Sequence, residues 1–407
     1  MGIATPGPVP GSQRLDLLDA LRGFALAGVL LANLEAFSLY YYLPPGATPA
    51  LALPMLDRWL DPLGEVLWSG RFISLFSIMF GIGFALQMQR LGTGDGRRWY
   101  VRRLAILFLV GLLHSALWWG DILRWYAVAG LLLLPLARMR PRNMAILGVA
   151  LACVPSLPLA QWWPGGWNHA PRAQALAGAL AAFSSGDWGT MLRGNLAFEQ
   201  WWRQSQGSLL LTIPGRMLIG VAIGNAGVLR DPRAHARFWK WLLACLPIGL
   251  VLGGLDILSD YHRLPFVAGH TLPSLSLLEH PVAVTTALGY AALFVLAFQR
   301  PVPGRWLGRH LAPIGRMALS NYLAQTLVAI ALFYGVGFDI GPRYGQAGVL
   351  AAWLGIFGAQ VVASRWWLER YRFGPAEWAW RSLTYGRRQP MRRPPAEDAA
   401  STLAARP

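Results

Sequence analysis

Residues 101–121 read VRRLAILFLVGLLHSALWWGD, and this stretch decides the fold. Its apolar run is long enough to cross the hydrocarbon core of a bilayer, which takes about 20 helical residues. Arginines precede the run, His114 lies deep within it, and two tryptophans follow it. Arginine at one end and tryptophan at the other are typical of a helix that crosses from the cytoplasm to the outer face of a membrane. The stretch therefore predicts a transmembrane helix.

Apolar runs of this kind recur along the chain, which is 55% hydrophobic and only 14% charged. Soluble domains average roughly 25% charged residues, so most of this surface must face something other than water. The sequence therefore predicts an all-α, polytopic integral membrane protein with about ten transmembrane helices. The predicted spans are residues 22–43, 67–89, 100–120, 121–138, 143–163, 208–229, 238–257, 276–298, 312–337 and 346–367.

The positive charges set the orientation of these spans. The chain has a net charge of +17, and its arginines cluster in alternate connections between the apolar runs. These connections are residues 90–103, 138–142, 230–240, 300–309 and 387–393. The positive-inside rule assigns them, and both termini, to the cytoplasm. This placement favours an inner-membrane protein, with the lipid bilayer as partner, and argues against nucleic acid as the partner of the excess positive charge.

The connections divide the chain into unequal parts. Residues 164–207 are too long for a simple connector, and they contain two short amphipathic patterns near 173–183 and 188–204. The last residues are rich in proline, alanine and charge, a composition typical of disorder. The predicted organisation is a flexible leader (1–13), a five-helix half (14–163), a periplasmic amphipathic segment (164–207), a second five-helix half (208–388) and a disordered cytoplasmic tail (389–407).

Two pairs of polar residues share the same spacing on different helices. Arg103 precedes His114 by eleven residues, which returns to within about 20° of the same helix face and spans roughly 16 Å. Arg22 and Asn33 have this spacing on the first span. If both helices line one cavity, the two arginines could clamp phosphates at its inner mouth. Asn33 and His114 would then meet at a comparable depth.

Each of these residues also has a structural interpretation. Arg22 and Arg103 fit topology anchors at the cytoplasmic ends of their helices, and Asn33 fits an interhelical hydrogen bond. An ionisable residue such as His114 inside a span is by default a functional candidate. Asp121 is well placed to cap the fourth helix. It could instead orient His114, but seven residues rise about 10 Å, so the third helix would have to end early.

Further polar residues follow on the fourth and ninth spans. Arg124 and Tyr126 could line an outer vestibule or anchor the membrane interface. Asn321 and Gln325 are four residues apart and therefore share one helix face. They fit interhelical hydrogen bonding or contact with a substrate. The sequence contains no Walker A loop, GxSxG or HExxH motif and no clustered His/Cys/Asp set, so we predict neither ATP-driven chemistry nor a metal site.

Four segments resemble the YeiB family of bacterial membrane proteins, whose C-terminal half is classed as a domain of unknown function 418. They are RLDLLDALRGFALAGVLLANLEAF from residue 14, RFISLFSIMFGIGFALQ from residue 71, RR…GLLH…WWGDILRWYA from residue 102, and GRMALSNYLAQT…ERYRFGPAEWAWRSLTYGRRQP from residue 315. Together with the chain between them, they extend the resemblance from residue 14 to about residue 390.

This family is in turn similar to the transmembrane acyltransferases, which include O-antigen and peptidoglycan acyltransferases and the lysosomal heparan glucosaminide acetyltransferase. The bacterial enzymes carry an arginine, ten residues and a histidine, matched here by Arg103 and His114. Their first helix starts with Asp-x-x-Arg-Gly, matched from Asp19 to Gly23, and continues to a second histidine. Asn33 replaces that histidine, and the lysosomal branch also has an asparagine near its catalytic histidine. The resemblance makes residues 14–163 an acyltransferase-like half.

The resemblance implies transfer of an acyl group from cytoplasmic acyl-CoA, with acetyl-CoA as the first candidate, to a small-molecule or glycan acceptor at the outer face. We expect His114 to be the general base and Asn33 to bind the thioester carbonyl. We expect the CoA phosphates to be bound by Arg22, Arg103 and Arg102, and the base to be oriented by Asp121. We expect the acceptor to be contacted by Arg124, Tyr126, Asn321 and Gln325.

Two other functions remain open at this point. A transporter or flippase would use His114 and the polar residues of the ninth span to line a pathway. A scaffold without a catalytic cycle would need none of these side chains for chemistry. The sequence is also compatible with a homodimer.

Overall fold

The computed structural model describes residues 16–44, 47, 51–91, 95–154, 171–205, 207–260 and 278–393. Regular structure in these residues is helical, with a short 3₁₀ turn at Tyr40–Tyr42 and an isolated bridge between Tyr371 and Arg392. The helices are α1 (Asp16–Phe37), α2 (Pro54–Leu67), α3 (Arg71–Leu91), α4 (Asp95–Leu117), α5 (Leu123–Leu136), α6 (Pro141–Ala152), α7 (Arg172–Phe183), α8 (Trp188–Ser205), α9 (Leu209–Asn225), α10 (Ala236–Leu243), α11 (Cys245–Asp260), α12 (Glu279–Phe298), α13 (Pro301–Arg316), α14 (Ala318–Phe333), α15 (Gly345–Arg370) and α16 (Pro375–Tyr385). The predicted all-α class is confirmed.

Within the described part of the chain, six helical segments are long and apolar enough to cross a membrane. They are Asp16–Phe37, Pro54–Gln89, Gly96–Leu117, Ala236–Ile257, Glu279–Phe298 and Gly345–Arg370. A seventh is reached when α8 and α9 count as one bent segment. The apolar helices α5 and α14 have 14 and 16 residues, fewer than the about 20 that a perpendicular span needs. The number of ten spans therefore stays a prediction.

Side chains on the outside of these helices identify the surrounding medium. Large apolar residues are exposed on α4, α5, α11 and α15, among them Leu113, Leu132, Val251 and Val362. Apolar surface of this extent is rare on soluble monomers. The protein is therefore membrane-embedded, and these faces contact lipid.

Several predicted boundaries differ from the structure. The predicted ninth span, 312–337, divides at Met317, whose backbone angles of φ −112° and ψ 31° are not helical. The predicted first span, 22–43, is α-helical only to Phe37, and its helix begins earlier, at Asp16. The predicted fifth span ends as α6 at Ala152, and its residues 155–163 lie outside the described residues.

The segments between and beyond the spans can also be compared with their predicted structure. The two amphipathic helices predicted near 173–183 and 188–204 are confirmed as α7 and α8. Helix α16 was not predicted. Of the predicted tail, residues 389–393 are ordered, since the N–H group of Arg372 donates to the carbonyl of Met391. The predicted leader, 1–13, and residues 394–407 lie outside the described residues.

Glycines allow the central helices to approach each other closely. A Cβ atom at Gly81 of α3 would lie 1.9 Å from the carbonyl oxygen of Met217 on α9. A Cβ atom at Gly220 of α9 would lie 1.9 Å from the carbonyl oxygen of Ile78 on α3. Helices α1 and α13 approach in the same way at Gly315. Small residues at helix contacts are a general means of packing in membranes, and these two contacts fix the framework around which the site is arranged.

We predict that Gly81→Ala lowers stability, because the added methyl group has no space between α3 and α9. The expected cost is about 1–3 kcal/mol, the usual range for overpacking. The measurement is the thermal unfolding midpoint of the purified protein in detergent. Gly355→Ala on α15 is the matched control, since a Cβ atom there meets nothing within 4 Å. Equal midpoints for the two variants would contradict the close packing of α3 and α9.

Candidate functional site

His114 lies near the end of α4 and contacts the turn that follows the helix. Helix α4 ends at Leu117, and residues 118–122 reverse the chain before α5. The reversal brings the carboxylate of Asp121 back to the imidazole, with 2.7 Å between His114 Nδ1 and Asp121 Oδ2. With the carboxylate ionised and the imidazole neutral, Nδ1–H is the donor and Nε2 is left as an acceptor.

The second oxygen of the same carboxylate caps α5. Asp121 Oδ1 accepts a hydrogen bond of 3.1 Å from the N–H group of Arg124, in the first turn of α5. Capping and orientation of His114 were alternatives in the sequence, and the structure shows both. The early end of α4 that direct contact requires is present. Both residues are buried, with 5% of His114 and 1% of Asp121 exposed.

The second ring nitrogen of the imidazole contacts α14. His114 Nε2 lies 2.8 Å from the hydroxyl oxygen of Thr326, which is 1% exposed. Since Nε2 is the acceptor, the Thr326 hydroxyl donates. The ring of Tyr322 packs beside the imidazole, with 5.0 Å between ring centroids. The sequence pattern does not single out Thr326, whose only signal is its position beside Gln325 in a polar patch.

Helix α8 holds the turn in place. The guanidinium of Arg124 donates a hydrogen bond to the carboxylate of Glu199, a buried residue of α8. On the same helix, the side-chain oxygen of Asn195 accepts a 2.7 Å hydrogen bond from the N–H group of Trp119. Arg124 was predicted to contact the acceptor. In the structure it joins the turn to α8, and its contact with an acceptor stays a prediction.

The other predicted acceptor contacts also have partners within the protein. The Tyr126 hydroxyl lies 2.8 Å from the Ser77 hydroxyl on α3. Asn321 donates to Ser364 over 2.9 Å, and Gln325 donates to Gln360, also over 2.9 Å. These last two bonds join α14 to α15 and fit the interhelical alternative. None of these hydrogen bonds involves His114.

Arg103 lies at the opposite end of α4. It is half-buried, and its guanidinium donates a 3.1 Å hydrogen bond to the side-chain oxygen of Gln87 on α3. The guanidinium also lies 4.2 Å over the ring of Trp380 on α16, a cation–π contact. The indole N–H of Trp380 donates to the Arg103 carbonyl over 2.9 Å. Helices α3 and α16 thus fix Arg103.

Arg22 of α1 contacts the same stretch of α3. Its guanidinium pairs with Asp19 at 2.9 Å, and a Cβ atom at Gly83 would lie 3.5 Å from it. Gly83 and Gln87 are one helical turn apart on α3, so Arg22 and Arg103 lie at one end of the bundle. Arg22 and Arg381 of α16 bring like charges near Arg103, and these three residues are called the arginine cluster below. Arg102 is exposed and lies beside Gly386, where α16 ends.

At the other end of α1, the ring of Phe37 stacks on Trp118, which directly follows α4, with 3.8 Å between ring centroids. Both helices pack against α3; α1 also packs against α13, α14 and α15, and α4 against α5, α8 and α16. Both ring nitrogens of His114 are engaged by Asp121 and Thr326, so Asn33 makes no hydrogen bond to the imidazole. The comparable depth of Asn33 and His114 stays a prediction, and Thr326 of α14 is the residue that bonds to Nε2.

Glu377 attaches α16 to the first turn of α14. Its carboxylate accepts hydrogen bonds from the N–H groups of Leu319 and Ser320, at 2.7 and 3.1 Å, and from the Ser320 hydroxyl. Burial raises the pKa of the Glu377 carboxyl and outweighs the opposing effect of the Ser320 hydrogen bonds. This contact positions Trp380 against Arg103 and positions Arg381 in the arginine cluster.

A second buried polar chain lies between α9 and α12. A guanidinium nitrogen of Arg216 lies 3.4 Å from His280 Nδ1, and His280 Nε2 lies 3.3 Å from the Ser208 hydroxyl. Arg216 is 2% exposed. Among the residues that the structure describes, no carboxylate lies within 4.0 Å of its guanidinium. Glu279, the anionic partner considered from the sequence, interacts with it only over a longer range.

The fold and the site define a helical membrane protein in which α4 carries His114, paired with the buried Asp121, near one end and Arg103 of the arginine cluster toward the other. A family described as a protein of unknown function (DUF418) matches residues 223–387. The uncharacterised protein YxaH of Bacillus subtilis is 30% identical over 94% of this chain and 97% of its own length. The uncharacterised protein YeiB of Escherichia coli is 29% identical over 91% and 96%. The chain belongs to the YeiB family.

We predict that Glu377→Ala lowers the thermal unfolding midpoint, because the first turn of α14 loses the acceptor of its N–H groups. The expected cost is about 0.5–2 kcal/mol, as for the loss of a helix cap. Glu377→Gln is the matched control. It keeps a side-chain oxygen that can accept from the N–H groups of Leu319 and Ser320. If Gln lowered the midpoint as much as Ala, the capping role of Glu377 would be wrong.

Proposed function

We propose that this protein is a transmembrane acyltransferase that moves an acyl group from cytoplasmic acyl-CoA to a hydroxyl or amine acceptor on the other side of the membrane. The observation that supports it best is the arrangement of α4. One unbroken helix carries Arg103 in the arginine cluster and, eleven residues later, His114 with its buried carboxylate partner. This spacing separates the two groups by roughly 16 Å along the helix axis.

The arginine cluster binds the phosphates of CoA. Guanidinium groups recognise phosphates through charge-assisted, often bidentate hydrogen bonds. Arg22 has 34% of its side chain exposed and Arg103 is half-buried, so both retain N–H groups for a ligand. Arg102, which is exposed beside the end of α16, adds positive charge at this mouth.

His114 is the general base. Asp121 is a positioning residue, because its hydrogen bond to Nδ1 fixes the tautomer and leaves the lone pair of Nε2 to take a proton. The pair is buried, and exclusion of water strengthens such interactions. An acyl thioester held by its phosphates at the arginine cluster would place its reactive end toward this nitrogen.

The orientation in the membrane follows from the same arrangement. We infer a bundle of about ten spans, with the arginine cluster and both termini in the cytoplasm of a bacterium and with the inner membrane as its location. Supporting this orientation, the arginine-rich connections all fall on one side of such a bundle. The acceptor, a small molecule or a glycan, is then supplied from the outer side, where α7 and α8 lie.

Binding of acetyl-CoA and of free CoA to the purified protein, measured by isothermal titration calorimetry, tests this proposal. We expect Arg103→Ala to weaken binding at least about tenfold, since hydrogen bonds to charged groups contribute about 1.5–3 kcal/mol. His114→Ala should bind CoA normally and fail in acyl transfer. Arg305→Ala, an exposed arginine of α13, is the matched control and should bind like the wild type. Folded wild-type protein that binds neither ligand would rule out the acyltransferase.

A second candidate is transport of a small anion or flipping of an anionic envelope precursor. The buried chain of Arg216, His280 and Ser208 favours it, because a buried guanidinium is costly without an anionic partner. This function predicts counterflow of radiolabelled phosphate or of a small carboxylate in proteoliposomes, without thioester cleavage. Arg216→Ala should abolish the counterflow and His114→Ala should preserve it. Exchange no faster than in empty liposomes would contradict transport of these solutes.

A further inference from the structure

Asp121, His114 and Thr326 form a continuous hydrogen-bonded chain of carboxylate, imidazole and hydroxyl. The two links are 2.7 and 2.8 Å long, and they join the turn after α4, α4 itself and α14. All three side chains are buried. A hydroxyl bonded to a base that is in turn oriented by a third group is the general arrangement of an activated nucleophile.

The direction of the hydrogen bonds decides which proton the base can take. Asp121 holds the proton of Nδ1, so the only lone pair of the neutral imidazole is that of Nε2. This lone pair already accepts the hydrogen bond of the Thr326 hydroxyl. The first proton within reach of His114 is therefore that of Thr326 and not that of an external acceptor.

We propose, resting on the acyl transfer proposed above, that Thr326 is acylated on its hydroxyl oxygen and that the reaction proceeds through this covalent intermediate. A hydroxyl without a base is a weak nucleophile, and an adjacent histidine is the usual means of activating it. Thr326 is thus a catalytic residue, and the reaction separates into two half-reactions.

In the first half-reaction, the Thr326 oxygen attacks the thioester carbonyl while its proton moves to His114 Nε2. The carbon–sulfur bond breaks, the sulfur leaves with the electron pair, and it takes the proton from Nε2 to give free CoA. In the second, the acceptor hydroxyl or amine gives its proton to Nε2 and attacks the ester carbon. The carbon–oxygen bond to Thr326 breaks, and the threonine oxygen recovers the proton. No further reactant is required.

The surroundings of Thr326 suit an ester that must wait for its acceptor. Only 1% of the residue is exposed, and the ring of Tyr322, one turn earlier on α14, packs against the imidazole. Exclusion of water protects reactive intermediates from hydrolysis. The acyl group would therefore remain on the protein after CoA has left.

The test is a single turnover with acetyl-CoA and no acceptor, on the full-length protein in detergent. We expect about one equivalent of CoA thiol to be released per protein, and mass spectrometry to locate one acetyl group on Thr326. Thr326→Ser should retain this burst, and Thr326→Val, which keeps the shape and removes the hydroxyl, should lose it. His114→Ala should lose it as well. Thr212→Val replaces another buried threonine, on α9, and should behave like the wild type.

Calorimetry with acetyl-CoA on the same preparations separates the two proposals. Wild-type protein that binds acetyl-CoA but releases no thiol until an acceptor is added, or that carries the acetyl group on another residue, would overturn the intermediate on Thr326. A burst that persists in Thr326→Val would overturn it too. Folded protein that binds no acetyl-CoA would instead contradict the proposed acyltransferase function itself. Equal unfolding midpoints of the variants exclude misfolding as the cause of a lost burst.

Discussion

The hydrogen bond between Asp121 and His114 is the interaction on which the rest of the site depends. A buried carboxylate is costly unless its oxygens are hydrogen-bonded, and here each oxygen has its own partner. One orients the imidazole, and the other caps α5 at Arg124. The chain must therefore leave α4 at Leu117 and reverse within the next few residues. The short turn, the tautomer of His114 and the start of α5 all follow from this single side chain.

The two ends of α4 are completed by the C-terminal part of the chain. Thr326 of α14 contacts His114 at one end, and Trp380 of α16 contacts Arg103 at the other. Glu377 joins these two helices through the first turn of α14. All three residues lie within residues 223–387, the part that matches the family of unknown function. That part thus supplies both the partner of the base and the platform beneath the arginine cluster.

Local patterns in the sequence predicted the helices, the amphipathic pair α7 and α8, and the common face of Arg103 and His114, because each depends on spacing within one element. They did not predict the break at Met317, helix α16 or Thr326. Glu377 of α16 contacts Ser320, just after the break, across 57 residues of sequence, and Thr326 meets His114 across 212 residues. Spacing on α1 likewise does not specify which helices are its neighbours, so the role expected for Asn33 stays a prediction.

A structure of the full-length protein with coenzyme A bound would show whether the arginine cluster and His114 are two ends of one site. We expect the CoA phosphates within hydrogen-bond distance of Arg22 and Arg103, and the thiol end directed along α4 toward His114 and Thr326. Coenzyme A bound elsewhere, or with its thiol directed away from His114, would contradict this expectation.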